Sequence, residues 1–190
     1  MSTHLPSVSR RRFLAGAGAL AVSFQIVPRH VLGGPGYTAP SEKITTAFIG
    51  VGSQGLRVML DFLKQPDVQA VAVCDPNRGS GDYPQWSRNE FTGAVNRLLG
   101  VSNGWDWLSP NQPVPLSRSF TATGGMAGRE PCQKIVDAWN GREKGSGTSR
   151  GCNAYADFRE LLAQEKDLDA VVVGSADHVH ASISIAAMRL

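Results

Sequence analysis

Three glycines lie within ten residues of the stretch "FIGVGSQGLR". Gly50, Gly52 and Gly55 have the spacing G-x-G-x-x-G, which binds a dinucleotide diphosphate when it joins a strand to a helix. In that setting Gly50 permits a sharp turn, Gly52 lets the backbone approach the diphosphate, and Gly55 lets the helix pack closely on the strand. The N–H groups at the helix start, around Ser53 and Gln54, then attract the anion.

An acidic residue stands where the sugar of such a ligand would lie. Asp75 follows the apolar run "VQAVAVC" and comes 20 residues after Gly55, where an acid accepts hydrogen bonds from ribose hydroxyls. A carboxylate favours the free 2′-hydroxyl of NAD and repels the 2′-phosphate of NADP, whereas Arg78 would pair with that phosphate. We therefore predict NAD, with NADP as the alternative. The structural alternative is a glycine-rich corner without a ligand.

Methyltransferases that use S-adenosylmethionine also bind their cofactor at a glycine-rich turn. They usually place an acid two residues before the first glycine, and this chain has Phe48 there. The residue at that position therefore favours the dinucleotide over S-adenosylmethionine.

The elements around the glycines are those of a βαβ unit. Ile44 to Ile49 is short, apolar and β-branched, which predicts a buried parallel strand, and Val68 to Cys74 predicts a second one. Between them, apolar residues at helical spacing predict a helix that Pro66 closes. Two such strands joined by a helix pair in parallel. The apolar face of that helix consists of Leu56, Met59, Leu60 and Leu63.

A similar rhythm returns after residue 155. Asp157 is predicted to cap a short helix, with Glu160 three residues later as in a capping box. Leu168 to Ser175 predicts another buried strand, and a final helix is predicted to start with Asp177 as its cap.

The middle of the chain, about 76–154, is poorly patterned and is predicted to be an insertion of loops and helices after the second strand. The stretches "WSRNEFTGAVNRLLG" and "EPCQKIVDAWN" predict amphipathic helices, and the Gly-, Pro- and Ser-rich segment between them is predicted to be loop. Trp105 and Trp107 either stack on a ligand or, as we expect, pack in a satellite cluster. Gly124, Gly125 and Gly128 suggest a second anion site or, preferably, a flexible linker.

Charge and cysteine content exclude several classes of function. Of the 19 Lys and Arg residues, four Arg lie in the first 40 residues, which contain no Asp or Glu. The remaining 15 basic residues face 16 acidic ones, so a nucleic-acid partner has little electrostatic support. Three cysteines without a C-x-x-C pair argue against a zinc knuckle or a disulfide framework. A Cys132–Cys152 bridge stays open as an alternative for an oxidising compartment.

The N-terminus has the architecture of an export signal. The stretch Ser9 to Leu14, "SRRRFL", resembles the twin-arginine signature, and the apolar run that follows is too short to span a bilayer. We therefore expect residues 1–40 to be a signal peptide and linker, and the protein to be exported to the periplasm by the twin-arginine machinery. The alternative is an ordinary basic tail.

Three stretches carry a resemblance to a known family: "AFIGVGSQG", "VAVCDPNR" and "YADFRELLAQEKDLDAVVVGSADHVHASISIAAM". From about Ser41 to Leu190 the chain resembles the N-terminal part of the glucose–fructose oxidoreductase / inositol dehydrogenase / MocA-like family of NAD(P)-dependent oxidoreductases. The third stretch is similar to the family turn T-P-D-H-x-H, with Ser175-Ala176 in place of Thr-Pro and with Asp177, His178 and His180 matching.

The resemblance implies a Rossmann-type α/β fold, that is, a doubly wound parallel sheet, here incomplete. It implies that Ser175 and Asp177 lie beside the cofactor and that His178 and His180 face the substrate cleft; helix capping and an H-x-H metal pair are the alternatives for the histidines. The family's E-K-P stretch, with its substrate lysine, and its second domain have no counterpart here, so we expect a truncated chain.

The implied activity is hydride transfer between NAD(P) and a hydroxyl carbon of a sugar, cyclitol or related polyol. The alternative is a non-catalytic nucleotide-binding module or an inactive remnant. A homo-oligomer is compatible with the sequence.

Overall fold

The computed structural model describes residues 38–142 and 151–189. Residues 1–37 of the expected signal segment therefore lie outside the described part. The described residues form seven strands: β1 (Ile44–Ile49), β2 (Val68–Cys74), β3 (Ser80–Gln85), β4 (Pro113–Pro115), β5 (Thr121–Ala127), β6 (Asn153–Tyr155) and β7 (Ala170–Val173). They also form five α-helices: α1 (Ser53–Phe62), α2 (Glu90–Leu99), α3 (Arg129–Arg142), α4 (Phe158–Gln164) and α5 (Asp177–Ala187).

Four strands make a parallel sheet in the order β6-β2-β1-β7. In this sheet β1 is central, β2 and β6 lie to one side of it, and β7 lies to the other. This is the order of the first four strands of a doubly wound nucleotide-binding sheet. The prediction of an incomplete Rossmann-type α/β fold is therefore confirmed, and β1 and β2 have the predicted bounds.

The sheet is covered on both faces because alternate strand residues point in opposite directions. On one face Phe48 and Val73 pack with buried residues of α1, α2 and α3. On the other face Ile49 and Val71 pack with buried residues of α4 and α5. β1 and β2 are thus buried from two sides, as expected for a parallel sheet between helix layers, whereas β7 is only half-buried, contrary to the prediction.

The helices begin for local reasons that the sequence partly reveals. Asp157 caps α4, as predicted, since its carboxylate accepts a hydrogen bond from the Arg159 N–H at 2.8 Å. Glu160 accepts a hydrogen bond from the Gln164 side chain at 3.0 Å. Asp177 does not cap α5, contrary to our expectation: Ala176 occupies the N-cap position, and Asp177 is the first helical residue.

The predicted loop between α2 and α3 is wrong in part, because it contains a short 3-10 helix (Asp106–Leu108) and two strands. With β3 these strands form an antiparallel sheet in the order β3-β5-β4. Of the glycines that suggested a linker or an anion turn, Gly124 and Gly125 belong to β5, and Gly128 directly follows it. Their missing side chains make room for neighbours, since a Cβ on Gly125 would lie 2.4 Å from the Phe91 ring. The two tryptophans pack together with ring centroids 5.7 Å apart, and Trp105 lies against the core, as expected.

Residues 79–128, which include β3, α2, β4 and β5, depart from the parallel sheet, and we call them the excursion. The chain segments on its two sides are hydrogen-bonded to each other. The N–H of Arg129 donates to the carbonyl of Asn77 at 3.1 Å, and that of Glu130 donates to the carbonyl of Arg78 at 3.0 Å. From there α3 runs back along β2 and leads to β6. Helix α3 is therefore the crossover helix between the parallel strands β2 and β6. The excursion is inserted between β2 and this helix.

Cys74, Cys132 and Cys152 are free and buried, so the alternative of a disulfide between the last two is not realised in this structure. Within the described ranges, no helix combines the length and the apolar character needed to cross a membrane.

Candidate functional site

The four parallel strands end level with one another. Ile49 pairs with Cys74 and with Val173, and Cys74 pairs with Tyr155. The residues that follow these strand ends therefore face one another across a cleft of about 600 Å³. Ligands of open α/β sheets bind at this edge, where the strand order reverses. The predicted site residues that line the cleft are Gly50, Gly52, Asp75, Ser175 and His178.

The glycine-rich turn is tight for the reasons that its spacing predicted. Gly50 has φ +83°, a left-handed conformation that favours glycine, and a Cβ there would lie 2.5 Å from the backbone N of Ser175. A Cβ on Gly55 would lie 1.8 Å from the carbonyl oxygen of Gly50. The predicted steric roles of Gly50 in the turn and of Gly55 in close helix packing are therefore confirmed.

Gly52 has a neighbour that the motif alone does not reveal. Its missing side chain leaves room for the ring of Tyr83, whose Cε1 would be 2.8 Å from a Cβ at position 52. Tyr83 belongs to β3, in the excursion, and lines the same cleft. No periodicity or spacing in the sequence connects Tyr83 with the glycines.

The start of α1 offers open N–H groups toward this edge. Its N-cap residue is Gly52, which has no side chain to cap them, and the helical hydrogen bonds begin with Leu56 N–H to the Gly52 carbonyl at 2.8 Å. Ser53 and Gln54 occupy the first turn, and the side-chain oxygen of Ser53 is buried without a hydrogen-bond partner. Such a helix start is a general binding place for anions.

A second unpartnered hydroxyl lies across the turn. The side-chain oxygen of Ser175, which follows β7, is also buried without a hydrogen-bond partner. Buried polar groups are normally satisfied, so these two hydroxyls indicate that a polar group is needed between them. Both residues were predicted to be cofactor-binding.

The two histidines after Ser175 differ in placement. His178 is exposed and lines the cleft, whereas His180 does not line it. The Nδ1 atom of His180 lies 3.1 Å from the carbonyl oxygen of Ser175, which ties the first turn of α5 to the end of β7. This contact is not a side-chain cap of α5, since the structure has none at that helix start. In the described part of the chain, no group of three metal-ligating side chains comes together.

Asp75 lies at the end of β2 with only 7% of its surface exposed. Burial raises the pKa of its carboxyl group above the usual value, while the backbone N–H groups of Asn77 and Val51 and the charge of Arg129 oppose the shift. The Asn77 N–H donates to its carboxylate at 2.8 Å. The carboxylate is thus held in place by backbone donors at the edge of the cleft.

Arg78, the predicted alternative partner for a 2′-phosphate, does not line the cleft. Its guanidinium pairs with Glu130 at 2.5 Å, and its side chain is 74% exposed. The guanidinium nearer to Asp75 belongs to Arg129, which donates to the carbonyl oxygens of Asp75 and Pro76 at 3.1 and 2.8 Å. Arg129 was not predicted, because only the return of the excursion brings it to this strand end.

No protein-family model matches the chain. Over 183 residues, or 96% of its length, the chain is 22% identical to a "Glycosyl hydrolase family 109 protein" from Stenotrophomonas maltophilia (strain K279a). The chain spans 28% of the length of that curated relative.

Proposed function

We propose that this chain binds a nicotinamide dinucleotide at the carboxyl edge of its parallel sheet. The observation that carries the proposal is the pair of buried, unpartnered hydroxyls of Ser53 and Ser175. They flank a turn that glycine alone can form, at the open N-terminus of α1. A diphosphate supplies acceptors for both hydroxyls and for the helix N–H groups.

The other end of the cleft suits the adenosine ribose. Asp75 offers a carboxylate at the end of β2, which accepts hydrogen bonds from the 2′- and 3′-hydroxyls. A 2′-phosphate would meet a second negative charge there, and Arg78, which is paired with Glu130, does not compensate for it. We therefore favour NAD over NADP.

We further propose that the chain is the cofactor-binding part of an oxidoreductase of the glucose–fructose oxidoreductase / inositol dehydrogenase / MocA-like type. The distant similarity to a glycosyl hydrolase family 109 protein supports this, since that family belongs to the same superfamily. When bound, the dinucleotide would supply a hydride acceptor for a sugar, cyclitol or related hydroxyl carbon. The residues of this chain would orient it, with exposed His178 at the mouth of the cleft facing the substrate.

A second candidate is the cleavage of a glycosidic bond, and the name of the relative favours it. Some glycoside hydrolases use NAD instead of a pair of carboxylic acids, so both candidates require the same dinucleotide site. A third possibility is a module that binds the dinucleotide without turnover.

Calorimetric titration of the purified chain tests the proposal. We expect NAD⁺ and NADH to bind, NADP⁺ to bind more weakly, and S-adenosylmethionine not to bind. If neither nicotinamide dinucleotide binds the folded protein, the proposal is wrong. Incubation with NAD⁺ and polyols or aryl glycosides then separates hydride transfer, glycoside cleavage and binding without turnover.

For localisation we propose export by the twin-arginine route, on the basis of the stretch "SRRRFL". Replacement of Arg10 and Arg11 by lysine keeps the charge and is expected to retain the protein in the cytoplasm. Arg29→Lys lies outside this stretch and serves as the control. Export of the double variant at the normal level, measured by fractionation, would contradict the proposal.

A further inference from the structure

Tyr83 comes from outside the parallel sheet and yet lies on its binding turn. It belongs to β3, where it pairs with Gly125 of β5. Its ring extends across to Gly52, with Cε1 at 2.8 Å and Cζ at 3.6 Å from the position of a Cβ there. In a glycine-rich dinucleotide turn, this is the glycine whose missing side chain lets a diphosphate approach.

Tyr83 lines the cleft together with Asp75, the residue proposed to bind the ribose. Burial raises the pKa of this phenol, and the negative charge of nearby Asp75 raises it further, while the Asn77 side chain opposes the shift. At neutral pH the hydroxyl therefore carries its proton and is able to donate it in a hydrogen bond. Tyr83 thus adjoins Gly52, on the proposed diphosphate side, and shares the cleft with Asp75, on the proposed ribose side.

The end of the excursion that carries Tyr83, and the start of α3 that follows it, are fixed to the strand ends of the cleft by further contacts. The Gly128 N–H donates to the carbonyl oxygen of Val51 at 3.1 Å, and the Cys132 thiol lies 3.5 Å from the same oxygen. Arg129 holds the carbonyls that follow β2. These contacts set the position of the Tyr83 ring relative to the turn.

We propose that Tyr83 is a dinucleotide-binding residue whose hydroxyl donates a hydrogen bond to the diphosphate–ribose segment of the cofactor. The inference rests on the proposed dinucleotide site and extends it, because a residue of the excursion would then bind the cofactor. The competing interpretation is that the ring only fills the space beside Gly52.

The phenylalanine variant separates these interpretations because it keeps the ring and removes the hydroxyl. We would titrate the full chain and the Tyr83→Phe variant with NADH by fluorescence and with ADP-ribose by calorimetry. Tyr155→Phe is a matched control: the hydroxyl of Tyr155 bonds to Glu165 at 2.6 Å, and Tyr155 does not line the cleft. Thermal unfolding without ligand is measured for all three proteins.

We expect Tyr83→Phe to weaken both ligands by about tenfold, the usual size of a lost hydrogen bond to a charged group. The unfolding temperature of Tyr83→Phe should stay near that of the unmodified protein. The affinity of Tyr155→Phe for both ligands should also be unchanged. An affinity of Tyr83→Phe within about twofold of the unmodified protein, or a tighter one, would overturn the inference. So would a loss seen with NADH and not with ADP-ribose. If the unmodified protein binds neither ligand, the proposed function itself is wrong.

Discussion

The carbonyl oxygen of Gly50 lies 1.8 Å from the point where a Cβ at position 55 would stand. The turn after β1 and the first turn of α1 therefore approach each other so closely that position 55 has no room for a side chain. The steric requirement at position 55 therefore belongs to the fold, whether or not a ligand is bound.

Gly55→Ala would bring a methyl group into a clash with the Gly50 carbonyl oxygen. We expect it to destabilise the protein by more than about 3 kcal/mol, because backbone cannot move aside as a side chain can. Urea unfolding followed by circular dichroism measures the effect. Gly93→Ala is the matched control: Gly93 lies inside α2, and its new Cβ would meet only the end of the Arg97 side chain at 3.3 Å. We expect that variant to be unchanged or more stable by up to about 1 kcal/mol. Equal stability of the two variants would refute the steric argument.

Ser175→Ala should lower affinity without lowering stability. Its hydroxyl has no partner in the free protein, so the unfolding free energy should stay within about 0.5 kcal/mol or rise, whereas NADH should bind about three- to tenfold more weakly. Titration and urea unfolding are measured on the same samples.

Ser109→Ala should show the opposite pattern. The buried hydroxyl of Ser109 donates to the Gln85 side chain at 2.8 Å and accepts from the Thr92 N–H at 3.2 Å, away from the cleft. We expect a loss of about 1–2 kcal/mol in stability and no change in NADH affinity. A Ser175 variant that behaves like the Ser109 variant would contradict the role of Ser175 in binding.

Asp75→Asn should make the ligand-free protein more stable at neutral pH, while it weakens dinucleotide binding. Burial raises the pKa of Asp75 in the folded protein, so the folded state binds more protons than the unfolded state between the ordinary value of 3.8 and the folded pKa. Wild-type stability therefore falls as pH rises through that window. The advantage of the asparagine variant should grow from about pH 4 upward and then level off; urea unfolding across pH 4–8 would reveal a constant difference if this is wrong.

Glu90→Gln should be destabilising, most strongly near neutral pH. Burial alone would raise the pKa of Glu90, but the Arg57 guanidinium at 2.6 Å and the Trp86 N–H outweigh it and lower the pKa below 4.5. The stabilisation is complete above the ordinary carboxyl pKa and is lost as pH falls through the folded value. We expect a cost of about 1–3 kcal/mol at pH 7 that shrinks on acidification.

The exposed pair of Asp61 and Lys64 provides the comparison for Glu90. Their side chains are 73% and 58% exposed, so Asp61→Asn should change stability by less than about 0.5 kcal/mol. A similar effect for both carboxylates would show that the Arg57–Glu90 pair contributes no more than an ordinary surface pair.

The three thiols should be unreactive in the folded protein. Burial is the largest cause that raises the pKa of Cys74, to about 12, and it also raises the pKa values of Cys132 and Cys152. Ellman's reagent at pH 8 should therefore react slowly until denaturant is added and then titrate three thiols. A count of one thiol in the unfolded, unreduced protein would reveal the Cys132–Cys152 bridge instead.

β1 and β2 were predictable because they are buried on both faces and read as continuous apolar runs, whereas the three-residue strand β6 carries no such run and was missed. β1 and β2 have the predicted bounds for this reason. β5 was missed because "TATGGMA" carries the residues of a turn. Its glycines are explained only by distant neighbours: Phe91 and Gln85 pack onto Gly125, and the Gly81 carbonyl and Gln112 side chain pack onto Gly124. Tyr83 and Arg129 were missed at the site because long-range contacts, rather than spacing, bring them to it.

The buried cluster that includes Phe48 and Leu56 of the parallel sheet layer also contains Phe91, Val95 and Leu108 of the excursion. A shared apolar core couples the two parts, so neither loses its packing without the other. We therefore expect heat to unfold the described chain in one cooperative transition. A destabilising substitution at Phe91 should lower the stability of the cleft as well. An insertion of this kind is constrained by the packing of the protein interior and lacks the sequence freedom of a surface appendage.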